Sequence, residues 1–151
     1  MAMYSVAMKF PVAAIGKGRP RVGRNGIVYT PKTTAEFERF IKAQAKIIMA
    51  GEKPFPATDA LRVEIRYIYE MPKSWAKWKK DLASVWFIPK ITKPDIDNAD
   101  KAILDALNGV VWEDDKCIYK LTSMKVWGHS DMIEVVVFSS DPWKALRMSS
   151  R

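Results

Sequence analysis

The chain holds one cysteine, Cys117, in 151 residues. An intramolecular disulfide and a cysteine-built zinc site are therefore excluded. Long apolar runs are missing as well. No stretch approaches the roughly 18 uncharged apolar residues that a membrane-spanning helix needs. The N-terminus is fairly apolar, but it lacks a basic leader and is interrupted by Lys9 and Pro11. A signal peptide is not expected, no membrane partner is expected, and a cytoplasmic location is the default. Histidine is as scarce as cysteine. His129 stands between Gly128 and Ser130 in an expected hairpin turn and reads as a surface residue. No G-x-x-x-x-G-K-[ST] phosphate loop occurs.

The residues that are present describe one folded domain over 1–151. A 48% hydrophobic share beside 28% charged residues argues against disorder. At this length roughly 70% of the extended chain's surface becomes buried. Acids are outnumbered: 25 Lys and Arg face 17 Asp and Glu, a net of +8 that suits a polyanion such as nucleic acid. The acids are also unevenly placed. Residues 95–115 hold seven acids against the single base Lys101, a local net of −6 that leaves +14 on the rest of the chain. Such a cluster repels itself unless cations neutralise it. An acidic centre in a basic frame is what a metal-dependent enzyme acting on phosphodiesters requires.

Tyr4, Val6, Met8 and Phe10 alternate with Ser5, Ala7 and Lys9, the period of a strand. Residues 16–32 form a loop punctuated by Gly and Pro, with Lys17, Arg19, Arg21, Arg24 and Lys32 as candidate phosphate contacts. A helix follows, with Thr33 and Glu36 as its capping box. Phe37, Phe40, Ile41, Ala45 and Ile48 form its apolar stripe, and Gly51 is its stop. Further strands are expected near 61–69, 117–127 and 132–138. Residues 74–84 predict a short helix begun by Ser74, with Trp75, Trp78 and Leu82 as core anchors between lysines. The same aromatic and basic mixture is also suited to stacking on DNA. The tail after Pro142 has no clear pattern.

The informative stretch runs from Lys93 to Ile118. Pro94 favours an extended approach, and Asp95 or Asp97 can cap the helix that follows. Ala99, Ala102, Ile103, Ala106 and Leu107 form its apolar stripe, while Asp97, Lys101 and Asp105 line a different face. Asn108-Gly109 ends it. Twelve residues of helix span about 18 Å, and six extended residues cover about 20 Å. A return crossing through Val110–Trp112 can therefore bring Asp114 or Asp115 back beside Asp95 and Asp97. Three converging carboxylates suit a hard divalent cation, Mg²⁺ or Mn²⁺. An EF-hand loop begun at Asp95 fails, because its fifth and sixth positions are Ala99 and Asp100. An aspartyl-nucleophile phosphatase fails as well, because KITKP and no apolar strand precedes the D-x-D.

The run Lys93-Pro-Asp-Ile-Asp-Asn98, with Lys101-Ala-Ile-Leu-Asp-Ala-Leu-Asn-Gly109 and Trp112-Glu-Asp-Asp115, resembles the RusA family of Holliday junction resolvases, which phages and prophages often encode. The likeness extends more weakly to the basic arm with its RPR and to YTPKTT-x-x-E. It implies a homodimeric, Mg²⁺-dependent endodeoxyribonuclease that nicks four-way DNA junctions in pairs and leaves 5′-phosphate and 3′-hydroxyl ends. It carries catalytic roles onto Asp95, Asp97 and Lys101, and the distal aspartate onto the Asp114-Asp115 pair, with Asp115 preferred. Asp95, Asp97 and Asp115 are then the metal ligands, and Lys17, Arg19, Arg21, Arg24 and Lys93 hold DNA.

The expected fold is α+β, a small mainly antiparallel or mixed sheet packed with two or three helices. Two other classes share parts of the pattern. A non-catalytic DNA-binding module would use the basic arm, but its acid cluster would oppose phosphate. A metal-dependent hydrolase of small phosphorylated substrates would show no preference for branched DNA.

Overall fold

The computed structural model describes residues 4–18, 21–22, 26, 28–29 and 32–139. In chain order the elements are β1 (Tyr4–Phe10), β2 (Arg21–Val22), β3 (Val28–Tyr29), α1 (Lys32–Met49), β4 (Leu61–Glu70), α2 (Lys77–Ser84), α3 (Ile96–Leu107), a 3₁₀ turn (Asp115–Cys117), β5 (Ile118–Gly128) and β6 (Met132–Ser139). Four strands make one mixed sheet in the order β1-β6-β4-β5. β6 runs antiparallel to β1 and β4, while β4 and β5 are parallel. β2 and β3 pair in a small separate ribbon across the basic loop. The class is α+β with three helices, as the sequence pattern predicts.

Period-two alternation sets the buried face. Met8 and Phe10 of β1, Leu61, Val63, Ile65 and Tyr67 of β4, and Ile133, Val135 and Val137 of β6 are all buried. α1 and α3 contribute to the same core through Ile41, Ala45, Ile103 and Leu107. Each fully buried Leu, Ile or Phe among these contributes about 1.5–3 kcal/mol.

Three expectations need correction. α1 begins at Lys32, so Thr33 lies inside the helix, and Thr34 accepts the Gly18 amide (3.0 Å). Its buried stripe is Phe37, Ile41, Ala45 and Met49, whereas Phe40 and Ile48 turn outward. The stripe keeps to a spacing of four and leaves those two on its flank. α2 begins at Lys77 after Ala76, not at Ser74, and buries only Ala83. Trp75 does pack, edge-on against Trp127 (5.3 Å), but Trp78 and Leu82 are exposed. Finally, β5 and β6 form no hairpin, because β4 lies between them. The link through His129 passes the end of β4, where Asp131 accepts the Glu70 amide (2.8 Å). The tail after Pro142 lies outside the described residues.

Candidate functional site

α3 is built to present acids. Its apolar stripe, Ala99, Ala102, Ile103, Ala106 and Leu107, is wholly buried and anchors the helix against the core. That fixes Asp97 and Lys101 on the exposed side, with Asp105 half-buried two turns along from Asp97. Asp95 occupies the N-cap position in an extended conformation, yet its carboxylate makes no capping hydrogen bond. Asp95 and Asp97 are both exposed at the N-terminal end of the helix.

The turn before α3 is held from behind by two lysines. Lys125 of β5 donates to the carbonyls of Thr92 and Pro94 (2.6 Å each). Lys90, buried over the rings of Tyr69 and Trp127, donates to the Thr92 hydroxyl and the Lys93 carbonyl. Burial, with Lys125 close by, lowers the Lys90 pKa from its ordinary value. Neither lysine faces outward as a phosphate contact. Both fix the backbone from which Asp95 and Asp97 project.

The basic loop lies across the head of the same helix. The Lys17 amide donates to the Asn98 carbonyl (3.0 Å). A Cβ at Gly16 would come within 3.3 Å of the Asn98 Cβ and 3.4 Å of the Pro94 Cβ, so only glycine sits there without displacing its neighbours. Between loop and helix is a cleft of about 450 Å³, lined by Gly16, Lys17, Lys93, Pro94, Asp95 and Asn98. The Lys17 ammonium, expected to meet DNA, instead bonds the Asp105 carboxylate and pairs with Glu38 (3.3 Å). Burial works against its charge, but these two acids prevail and raise its pKa. Lys93 is exposed at the cleft. Arg21 supplies backbone to β2. Arg19 and Arg24 lie outside the described residues.

The return crossing exists. Trp112 is fully buried and donates to the Asn108 side chain (2.8 Å). The Gly109 amide donates to the Trp112 carbonyl (2.7 Å), a turn that Gly109 permits by its positive φ of 78°. Phe55 then stitches the segment down, bonding Val111 (2.8 Å) and Glu113 (3.0 Å) through its backbone. The crossing delivers Asp114 and Asp115 in different roles. Asp114 is occupied locally, accepting the Lys116 amide (3.0 Å). Asp115 comes back toward α3: burial first, then Asp114 and Asp105, raise its pKa.

Asp100, which the sequence pattern did not single out, is half-buried and accepts the hydroxyls of Tyr67 (2.6 Å) and Ser123 (2.7 Å). Burial raises its pKa, those two hydrogen bonds oppose the rise, and the charge of Asp97 adds to it. The carboxylates of α3 are therefore spread along the helix, Asp97 and Asp100 at its head and Asp105 two turns on from Asp97. Among the described residues no three acidic, histidine or cysteine side chains are gathered closely enough to enclose one ion. The donors are nonetheless of one hard kind, carboxylate oxygen, which suits Mg²⁺. That ion keeps several waters and is commonly held by one or two carboxylates completed by substrate phosphate. Asp95 and Asp97 stand open to solvent, Asp95 on the cleft wall, where one or two carboxylates could hold such an ion.

Residues 11–138 match the family Endodeoxyribonuclease RusA. The chain belongs to the RusA family. It is also similar to a protein printed as "Uncharacterized protein YqaN" from Bacillus subtilis (strain 168), 28% identical over 127 residues that cover 82% of this chain and 88% of that one. The RusA match takes in the whole of α3, the return crossing, the lysines behind the Pro94 turn and most of the sheet. Lys90, Lys125, Tyr67 and Asp100 escaped the sequence reading because their partners lie far along the chain. Lys125 is an inward-facing lysine on a strand, and nothing in a period-two pattern says which carbonyls await it.

Proposed function

We propose that this RusA-family protein is a Mg²⁺-dependent endodeoxyribonuclease that resolves four-way DNA junctions by paired symmetric nicks in recombination and repair. The observation that supports it best is the exposed acidic face of α3. Asp95 and Asp97 stand at its head, with Lys101 one turn on. In this reading Asp95 and Asp97 hold the metal at the head of α3, and water and substrate phosphate complete its shell. Asp115 is the distal carboxylate that would have to close on the same ion when DNA binds, since the described residues do not gather the three around one point. Mg²⁺, or Mn²⁺ as a substitute, supplies Lewis-acid activation of water and charge neutralisation at the scissile phosphate when bound.

The chain's own residues do the rest. Lys101 places its ammonium where negative charge builds on the phosphorus oxygens and the leaving oxygen. Attack of water on phosphorus breaks the P–O3′ bond. The 3′ oxygen leaves and takes a proton, giving 3′-hydroxyl and 5′-phosphate ends. Lys93, Arg19, Arg21 and Arg24 grip the DNA backbone, a contact that positions DNA without reading sequence. Lys17, paired with Asp105 and Glu38, tethers the arm to the helices that carry the site. Two symmetric cuts need two sites, and a C₂ homodimer supplies them.

The test is a synthetic mobile four-way junction with and without Mg²⁺, against equal masses of duplex, flap and a small phosphorylated substrate. Paired nicks confined to the junction and dependent on the metal support the proposal. Equal cutting of all DNA forms overturns the junction assignment. Turnover of the small substrate alone overturns the nuclease reading, and binding without cutting in any metal reduces the protein to a DNA-binding module.

A further inference from the structure

The molecule carries an apolar surface that the site does not use. α2 turns Trp78 outward, 65% exposed, and the chain just beyond it exposes Val85 (58%), Phe87 (74%) and Ile91 (91%). Isolated exposed apolar residues are ordinary, but four large ones within fourteen residues of chain are a candidate interaction surface. The turn that ends α2 is built to present this one. The Phe87 amide donates to the Leu82 carbonyl (3.1 Å) and the Trp86 amide to the Ala83 carbonyl (3.0 Å), the paired bonds of a Schellman motif. Its left-handed position, normally glycine, is held by Trp86 at φ 63°. That is strained for a residue with a bulky side chain. The Arg66 guanidinium lies 4.0 Å from the centre of the Trp86 ring. The opposite wall is Gly128, whose missing side chain leaves room for the Trp86 indole and the Ile68 side chain. Backbone strain held this firmly collects where a surface has work to do.

Charge points to the occupant. Residues 73–93 hold six lysines and a single acid, Asp81. A second copy docked here across a two-fold axis would set this lysine-rich surface against itself. A polyanion with flat apolar faces meets both the charge and the aromatics. The patch is also joined to the site. Residues 88–90 bond along the edge of β5, through Trp127 to Ile88 and Lys90 to Lys125. They then lead directly into the turn before Asp95. Phe87 precedes Asp95 by eight residues, at most about 28 Å of chain.

We infer that Trp78, Phe87 and Ile91 form a stacking surface for nucleobases unstacked at a DNA branch point, with Lys73, Lys77 and Lys80 on the adjoining phosphates. Bases offer flat faces only where a duplex opens, and aromatic side chains stack on them without regard to sequence. The surface therefore selects branched DNA over duplex while the carboxylates do the cutting. The inference rests on the branched-DNA reading above.

The experiment uses full-length protein carrying Asp97→Asn, so that binding is read without cutting. The probe is a four-way junction with 2-aminopurine at the branch point, beside a linear duplex of the same length. Adding Phe87→Ser, Trp78→Ser or Ile91→Ser is expected to weaken junction binding by about tenfold each, in line with the loss of a stacked base. Duplex binding stays within twofold, and the 2-aminopurine signal change is lost. Unchanged melting temperatures are expected, since the side chains are exposed. If the Asp97→Asn protein itself shows no preference for junction over duplex, the substrate reading fails. If that preference is present and survives all three serine variants, the stacking inference alone fails. A shift from dimer to monomer in sedimentation, or lost binding to anionic vesicles, with the 2-aminopurine response intact, assigns the patch to self-association or to lipid and overturns it too.

Discussion

α2 and α3 are both short amphipathic helices, and they point their apolar sides in opposite directions. α3 buries five residues and turns Asp97 and Lys101 to solvent. α2 buries Ala83 alone and turns Trp78 and Leu82 to solvent. Apolar spacing thus establishes that a helix has two faces, and tertiary context decides which face is covered. For α3 the context is α1, which packs against it, and the core the two helices share with the sheet. For α2 it is the edge of β5, where Trp75 already fills the space against Trp127. The comparison assigns structural weight to one helix's apolar side and interaction to the other's.

The largest expected effect sits on the polar face of α3. Asp97→Asn keeps the shape and removes the charge. Metal-dependent junction cutting should fall by roughly a thousandfold, about 4 kcal/mol of barrier. Junction binding in Ca²⁺ should persist. Single-turnover rates beside a gel-shift titration separate the two. Equal loss of both would mean that Asp97 serves the fold or the DNA grip rather than the chemistry.

Next comes the buried face of the same helix. Ile103 is fully buried in the core, and Ile103→Ala should cost about 2–5 kcal/mol in urea unfolding. An unchanged midpoint would place α3 outside the cooperative unit and undo the contrast with α2.

A third prediction concerns the scaffold behind the acids. Lys125→Met removes both hydrogen bonds to the Thr92 and Pro94 carbonyls while keeping most of the packing volume. A displacement near 1 Å at the head of α3 is enough to cost about a hundredfold in rate. Cutting should therefore drop by that order, and the Mg²⁺ concentration for half-activity should rise. Junction affinity measured in Ca²⁺ should not move. A loss of affinity as large as the loss of rate would make Lys125 a DNA contact instead.

Legibility in the sequence followed range. Strand alternation at Met8 and Phe10, the stripe of α3 and the stop at Asn108-Gly109 are local patterns, and each is present where local physics puts it. The crossing through Val110–Trp112 was legible, since those apolar residues had to be covered. What pins that crossing was not, because it depends on the backbone bonds of Phe55, more than fifty residues earlier. Lys17 shows the same limit. A lysine in a basic loop reads as a phosphate contact until Glu38 and Asp105 arrive from two helices. Composition records how many charges there are, and the fold decides which of them are already paired.

The smallest effect tests the outward face. Leu82 is 42% exposed on α2, and Leu82→Ala should change stability by no more than about 0.5 kcal/mol, the range of ordinary surface substitutions. Alanine keeps the helix propensity, so the measurement reports packing alone. The comparison with Ile103→Ala is then between two aliphatic truncations on two amphipathic helices, differing only in what covers them. A cost near 2 kcal/mol at Leu82 would show that Phe87 and Leu82 form a packed cluster contributing to the fold. The apolar side of α2 would then be a second small core, and the surface would lose its claim on a partner.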